Sequence, residues 1–255
     1  MPQNTTNQLD KTFFLGFNWK MNPNTTLEAK NLFQKYLELK NKANFDFAIF
    51  VPDIYLPLCT KQGLQLGSQD IAIAQNGAYT SQISGQMYKE TGCNYAMIGH
   101  SETRRDLNLS LETMKSKIVS AIENNLIPVY CIGFTDEKLA HTQLAQELEI
   151  MFDNLDDSNQ VFINQIQNNP TIIAFEPVAS IGSGKALSPQ KVNHFLGFIK
   201  SILTDKNLVN IKVLYGGSVT SSNILELSHC ENLDGFLLGG ASLKPLELDK
   251  IFTIL

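Results

Sequence analysis

Residues 171–185 read Thr-Ile-Ile-Ala-Phe-Glu-Pro-Val-Ala-Ser-Ile-Gly-Ser-Gly-Lys. Ile172–Phe175 is apolar on both alternating faces, which suits a parallel strand covered on each side. A carboxylate, Glu176, then stands directly before Pro177, and the proline fixes the chain where that side chain must aim. The glycine-rich segment Ile181–Lys185 follows. Strand, aimed carboxylate and glycine-rich segment together are what the C-terminal edge of a parallel β/α sheet carries.

The same pattern recurs outward in both directions. Short β-branched or aromatic runs at Phe13–Asn18, Phe45–Val51, Leu64–Ser68, Tyr95–Ile98, Ile127–Cys131, Ile172–Phe175, Lys212–Tyr215 and Gly235–Leu238 alternate with longer helical stretches. The helices carry start signals. Thr25-Thr-Leu-Glu28 is a capping-box pattern ahead of Leu32, Phe33 and Tyr36, and Ser188-Pro189 precedes Val192, Phe195, Leu196 and Ile199. Thr135 reads as the cap of a stretch with Leu139, Leu144 and Leu148. Asp153–Asn169 reads as a polar surface excursion before the sixth strand. With no break in composition, this alternation predicts an α/β protein, a single (β/α)8 barrel. Residues 1–255 then form one catalytic domain with a polar N-terminal extension at 1–11. An open doubly wound sheet is the alternative, but it usually has fewer strands.

Composition narrows the class. Of 255 residues, 43% are hydrophobic and 18% charged, enough for a large core and unlike a disordered chain. The net charge of −5 argues against nucleic acid as a partner but permits a small phosphorylated ligand. Cys59, Cys93, Cys131 and Cys230 form no CxxC pair and no metal-like spacing with the histidines, so a reduced, cytoplasmic protein without a metal is the simplest reading. The first residues lack an apolar signal region, and no apolar run reaches the length of a membrane span.

In a barrel of this kind, residues just beyond the strand C-termini gather at one mouth. Asn18 and Lys20 follow the first strand, His100 and Glu102 the fourth, and Glu176 the sixth. Glycine-rich segments follow the last strands at Ile181–Lys185, Tyr215–Ser218 and Gly239–Ser242. Singly, each has an ordinary reading: a solvated loop carboxylate, a snorkelling lysine, a plain turn. His141, His194 and His229 lie in helical stretches and read as surface residues. Together at one mouth, the carboxylate, imidazole and ammonium form an active site beside backbone amides that hold a phosphate. The glycines fit neither a Walker A loop nor GxGxxG spacing, because Ala179, Ala186 and Leu187 occupy positions those motifs reserve.

The segments NWKMN (18–22), IGHSE (98–102), CIG (131–133), FEPVASIGSGK (175–185), YGGSV (215–219) and DGFLLGGASL (234–243) resemble the triosephosphate isomerase family in order and spacing. The resemblance implies interconversion of dihydroxyacetone phosphate and glyceraldehyde 3-phosphate through an enediolate, with no cofactor. It implies that Glu176 takes the proton beside the carbonyl and that His100 donates to the enediolate oxygens. Lys20 supplies positive charge, with Asn18 nearby. Glu102 supports the site from behind, and Ser101 contacts the base in the open state. Gly182, Ser218, Gly239 and Gly240 hold the phosphate, and residues from Pro177 to about Ala186 close as a lid. In this family the histidine is kept neutral by a helix N-terminus. A short helical turn within Ser101–Leu107 would have to supply it here. A homodimer is also implied, with Thr80 of the loop Gln75–Gln82 reaching toward a neighbour's Asn18 and Lys20.

Some positions depart from the family pattern. Ala179 stands where tryptophan is common, Ser180 and Ser183 replace Ala and Thr, and, with no gap in the alignment, Thr103 takes the first place of the family's double arginine, so that Arg104 and Arg105 look shifted. Asp70 replaces Asn, and Phe134 replaces Glu after CIG. These bear on lid motion and interface strength. Competing readings are another cofactor-free sugar-phosphate isomerase, and a non-catalytic phosphate-binding barrel that has no use for Asn18, Lys20, His100 and Glu176 together. A Schiff-base aldolase would want its lysine within a late strand, and a metal-dependent barrel would want more ligands at the mouth than His100.

Overall fold

The computed structural model describes residues 12–60, 62–152, 157–178 and 186–255. The strands are β1 (Phe14–Asn18), β2 (Asp46–Phe50), β3 (Gln65–Ser68), β4 (Cys93–Ile98), β5 (Ile127–Ile132), β6 (Ile172–Phe175), β7 (Lys212–Tyr215) and β8 (Gly235–Leu238). They are parallel and close in chain order, β8 pairing with β1. The predicted barrel is therefore the observed fold, although β4 begins two residues earlier than expected, at Cys93.

The helices are α1 (Thr26–Lys40), α2 (Leu56–Cys59), α3 (Gly85–Glu90), α4 (Ser101–Leu107), α5 (Leu111–Glu123), α6 (Ala140–Phe152), α7 (Asp157–Asn168), α8 (Pro189–Asp205), α9 (Ile224–Ser228) and α10 (Pro245–Ile254). Thr25 and Glu28 form the expected reciprocal cap on α1, and Ser188 caps α8 by accepting from the Lys191 amide. Two expectations are corrected. The surface excursion at 153–169 contains α7, whose Phe162, Ile163 and Ile166 are buried, with the Phe162 ring 6.1 Å from that of Phe152. Thr135 is not a cap. Asp136 takes that place by accepting from the Lys138 amide at 2.9 Å, while the Thr135 amide donates to Gln143 Oε1. Among the described residues no helix is long and apolar enough to cross a membrane.

Strand side chains alternate between two cores, because residues two apart share a face. One core lies between strands and helices. The other fills the barrel with Phe14, Ala48, Phe50, Met97, Val129, Cys131, Ile172, Ala174, Leu214 and Leu237. This alternation positions the mouth. On β6, Ile172 and Ala174 point inward, so the next inward position is Glu176. On β1 the series Phe14, Gly16 leads to Asn18. The series on β7 and β8, through Leu214 and Leu237, end on Gly216 and Gly239. The barrel thus ends in a carboxylate and an amide facing two residues that carry no side chain.

Candidate active site

A cavity of about 770 Å³ opens at that mouth, lined by Asn18, Lys20, His100, Glu176, Gly216, Ser218, Gly239 and Gly240 among others. Its size suits a small molecule. Glu176 is buried, and its amide donates to the Ile132 carbonyl at 2.7 Å, which ties the chain beyond β6 to the end of β5. Its carboxylate is held at both oxygens: Oε1 lies 3.1 Å from His100 Nε2, and Oε2 accepts from the Ser101 amide at 3.1 Å.

His100 is the N-cap of α4, and its Nδ1 accepts from the Glu102 amide at 3.3 Å. A ring nitrogen that accepts an N–H carries no proton itself, so the ring proton resides on Nε2. The ring presents Nε2 to the mouth, and Glu102 Oε2 also lies 3.6 Å from Nδ1. α4 is the short helical turn that the sequence called for.

Lys20 has a left-handed backbone, φ 54°, rare for a residue with a side chain. Several groups hold it there. Its amide donates to Asn18 Oδ1 at 2.9 Å, and its carbonyl accepts from Gln69 Nε2 at 2.8 Å. Its ammonium pairs with Glu102 Oε1 at 2.6 Å. The strain is over-determined by these contacts, which fix the cation at the edge of the cavity.

The glycine segments build the opposite wall. A Cβ at Gly239 would lie 3.1 Å from Lys20 Cε, and one at Gly216 would lie 3.0 Å from Glu176 Cγ. Gly240 opens a 3-10 turn to Leu243, where Ser242 Oγ donates to the Asn18 carbonyl at 2.9 Å. Ser218 lies in the loop after β7. Its carbonyl accepts from Asn223 Nδ2 at 2.9 Å, and Glu247 binds the Ser221 amide at 3.0 Å. Gly182 lies outside the described residues, as do Ala179, Ser180 and Ser183. Thr80 is exposed on its loop and does not line this chain's own mouth.

Sequence reasoning missed several supporting residues. Gln69 bridges the ends of β1 and β2 by donating to the Lys20 and Phe50 carbonyls. Arg104 bonds the Gly99 carbonyl at 2.6 Å and the Cys131 carbonyl, and forks onto Glu147 at 2.7 and 3.0 Å. Tyr130 donates to the same carboxylate at 2.6 Å. This network clamps the strand ends that carry His100 and Gly133. The doubled arginine was visible in the sequence, but not that Arg104 turns inward while Arg105 stays exposed beside Asp106. Of the departures, Asp70 pairs with Lys117 at 2.6 Å, and Phe134 is buried against Phe175 and Phe195.

A closed (β/α)8 barrel whose mouth gathers a carboxylate, an imidazole and a lysine beside glycine loops has the parts of an enzyme that moves protons on a small substrate. The triosephosphate isomerase family profile matches residues 13–255, and the chain belongs to that family. It is 36% identical over 254 residues to the triosephosphate isomerase of Mesomycoplasma hyorhinis, covering 96% of this chain and 99% of the relative. The enzyme of Shewanella denitrificans is 34% identical over 255 residues, covering 93% and 95%. A crystal structure of triosephosphate isomerase from Bartonella henselae superposes with a TM-score of 0.80 at 28% identity, covering 95% of this chain and 98% of that one.

Proposed function

We propose that this chain interconverts dihydroxyacetone phosphate and D-glyceraldehyde 3-phosphate with Glu176 as base and His100 as electrophile. The observation that carries the reading is the pairing of a buried carboxylate with an imidazole, Oε1 to Nε2 at 3.1 Å. In the reaction Glu176 accepts the proton from the carbon beside the carbonyl. His100 Nε2, which lies 3.1 Å from that carboxylate, turns to the substrate oxygen where negative charge develops. Lys20 adds positive charge beside the same oxygens, and Asn18 holds its backbone. The carboxylate then returns the proton to the neighbouring carbon, while His100 gives its Nε2 proton to one substrate oxygen and takes the hydroxyl proton from the other, so the reaction balances without a cofactor. Ser218, Gly239, Gly240 and Gly182 hold the phosphate. Glu102 keeps Lys20 in place, and Ser101 parks the base between turnovers.

A Schiff-base reaction fits less well: Lys212 is the first residue of β7, at the end of the strand away from the mouth. Replacing Glu176 with Gln removes the proton acceptor and is expected to lower kcat by on the order of 10²–10⁴-fold. Affinity for a phosphate-bearing analogue should stay within a few-fold. Near-normal turnover in a coupled assay would remove Glu176 from this role.

We further propose that the chain acts as one catalytic domain in the cytoplasm and as a homodimer. Met21 (91% exposed), Ile54 (76%), Tyr79 (53%) and Met87 (52%) present apolar surface on or near the loops after β1, β2 and β3. In a dimer Thr80 would approach a neighbour's Asn18 and Lys20. The expected mass by light scattering is twice that of the chain, and a fully active monomer at nanomolar concentration refutes the assignment.

A further inference from the structure

Two histidines that catalysis does not use meet on the outside of the barrel. His141 stands in the first turn of α6 and His194 in the second turn of α8, 53 residues apart in sequence. Their Nε2 atoms are 2.8 Å apart and their ring centroids 4.9 Å. The two rings therefore face each other nearly end to end, nitrogen toward nitrogen. Both residues are exposed, yet aromatic contacts hold the rings. His141 packs 4.8 Å from Phe198 and 5.3 Å from Phe195, and His194 lies 5.4 Å from Phe195, between centroids. Beside them Lys191 of α8 pairs with Glu137 of the turn ahead of α6, so the two helix starts are already joined.

We propose that His141 and His194 form a surface site for a divalent late transition-metal ion, bound through both Nε2 atoms with water filling the remaining positions. Neutral imidazole is the commonest protein ligand for such ions, with metal–nitrogen bonds of about 2.0–2.1 Å. Two such bonds at an angle between square and tetrahedral require nitrogens about 2.9–3.4 Å apart. The observed 2.8 Å lies just below that range, and since the two nitrogens now face each other, each ring must swing by about 35–45° for both lone pairs to meet at one ion. In the metal-free pair one ring donates from Nε2 and the other accepts. On binding, the donor ring moves its proton to Nδ1, and both Nε2 lone pairs turn to the ion. No net proton is lost, and the exposed position leaves room for the water ligands. The bound ion would cross-link α6 to α8 in parallel with the Lys191–Glu137 pair.

The probe is Cu(II), which binds imidazole sites most tightly among the first-row divalent ions. Titration of the whole protein followed by electron paramagnetic resonance is expected to show one equivalent with two nitrogen ligands. Either His141→Gln or His194→Gln should weaken that equivalent by at least 10-fold and remove the two-nitrogen signature. His229→Gln, on another helix end, should leave both unchanged. Because the ion binds the folded state, saturating Zn(II) should also raise Tm in the parent and not in the His141→Gln variant. Both substituted side chains are exposed, so folding is retained and is checked by circular dichroism. An unchanged signal in either variant, or a signal from one nitrogen in the parent, overturns the proposal.

Discussion

Replacing Gly216 with Ala should damage the chemical step without touching substrate affinity, and the structure gives the size of the effect. The added Cβ would lie 3.0 Å from Glu176 Cγ, 3.4 Å from the Phe175 carbonyl oxygen and 3.6 Å from Glu176 Oε1. Carbon atoms pack favourably at about 3.5–4.0 Å, so the carboxylate arm must retreat by about half an ångström. It cannot do so freely, since Oε1 lies against His100 Nε2 and Oε2 holds the Ser101 amide. A misplacement near 1 Å costs about 10²-fold in rate, so half of that costs on the order of 10-fold, or about 1.4 kcal/mol of barrier. The phosphate wall at Gly239 and Gly240 is untouched, so KM should stay within about 3-fold. Gly240→Ala is the contrast. A Cβ there meets nothing within 4 Å; if Gly240 holds the phosphate as proposed, the methyl group takes up that space, so KM should rise while kcat holds. Steady-state kinetics in both directions, with thermal melts to confirm folding, read the two variants. Gly216→Ala with kcat within twofold of the parent refutes the claim that this glycine sets the position of the base.

How much of this was legible depends on whether the signal was local. Alternation of apolar runs with capped helices gave the barrel, because the period of each element is written within it. Asn18, His100 and Glu176 were legible because they sit at strand ends, and the end of a buried run is visible in the chain. Gln69 was not, since its function is to donate to carbonyls 19 and 49 residues away. Arg104 looked like one half of a doubled arginine, and only the fold shows which half faces Glu147. The buried face of α7 was hidden for another reason. Phe162, Ile163 and Ile166 follow helical spacing, but Gln160, Asn164, Gln165, Gln167 and Asn168 around them made the average composition polar. Periodicity was the better guide than mean polarity there. The histidine pair shows the same limit, because spacing rules for metal ligands search neighbouring residues and this pair joins two helices.

Two further outcomes test the packing and the loop behind the phosphate site. Phe162→Ala removes a buried ring stacked on Phe152 and should cost about 3–5 kcal/mol in urea unfolding. A loss below about 1 kcal/mol would return the segment to the surface, where large side chains contribute little. Glu247 supports the loop that carries Ser218, and its effect should depend on pH. The Ser221 amide and hydroxyl donate to its two oxygens at 3.0 and 3.1 Å, and the Lys250 ammonium lies 3.5 Å away. The Ser221 amide, more than the hydroxyl and the ammonium, holds this carboxylate below its ordinary value of 4.5, while partial burial works against it. A carboxylate with a depressed folded value contributes stability that is present above its unfolded value and lost as pH falls through the folded one. Glu247→Gln keeps the shape but removes the charge, so the variant should be less stable than the parent at pH 7. The gap should then close as pH falls below 4.5, since protonation leaves the parent carboxyl neutral as well. Urea unfolding at fixed protein concentration across that range measures the gap. If the gap is the same at both ends, the Ser221 contacts stabilise the loop by shape alone, and the carboxylate charge contributes nothing to holding the loop that carries Ser218.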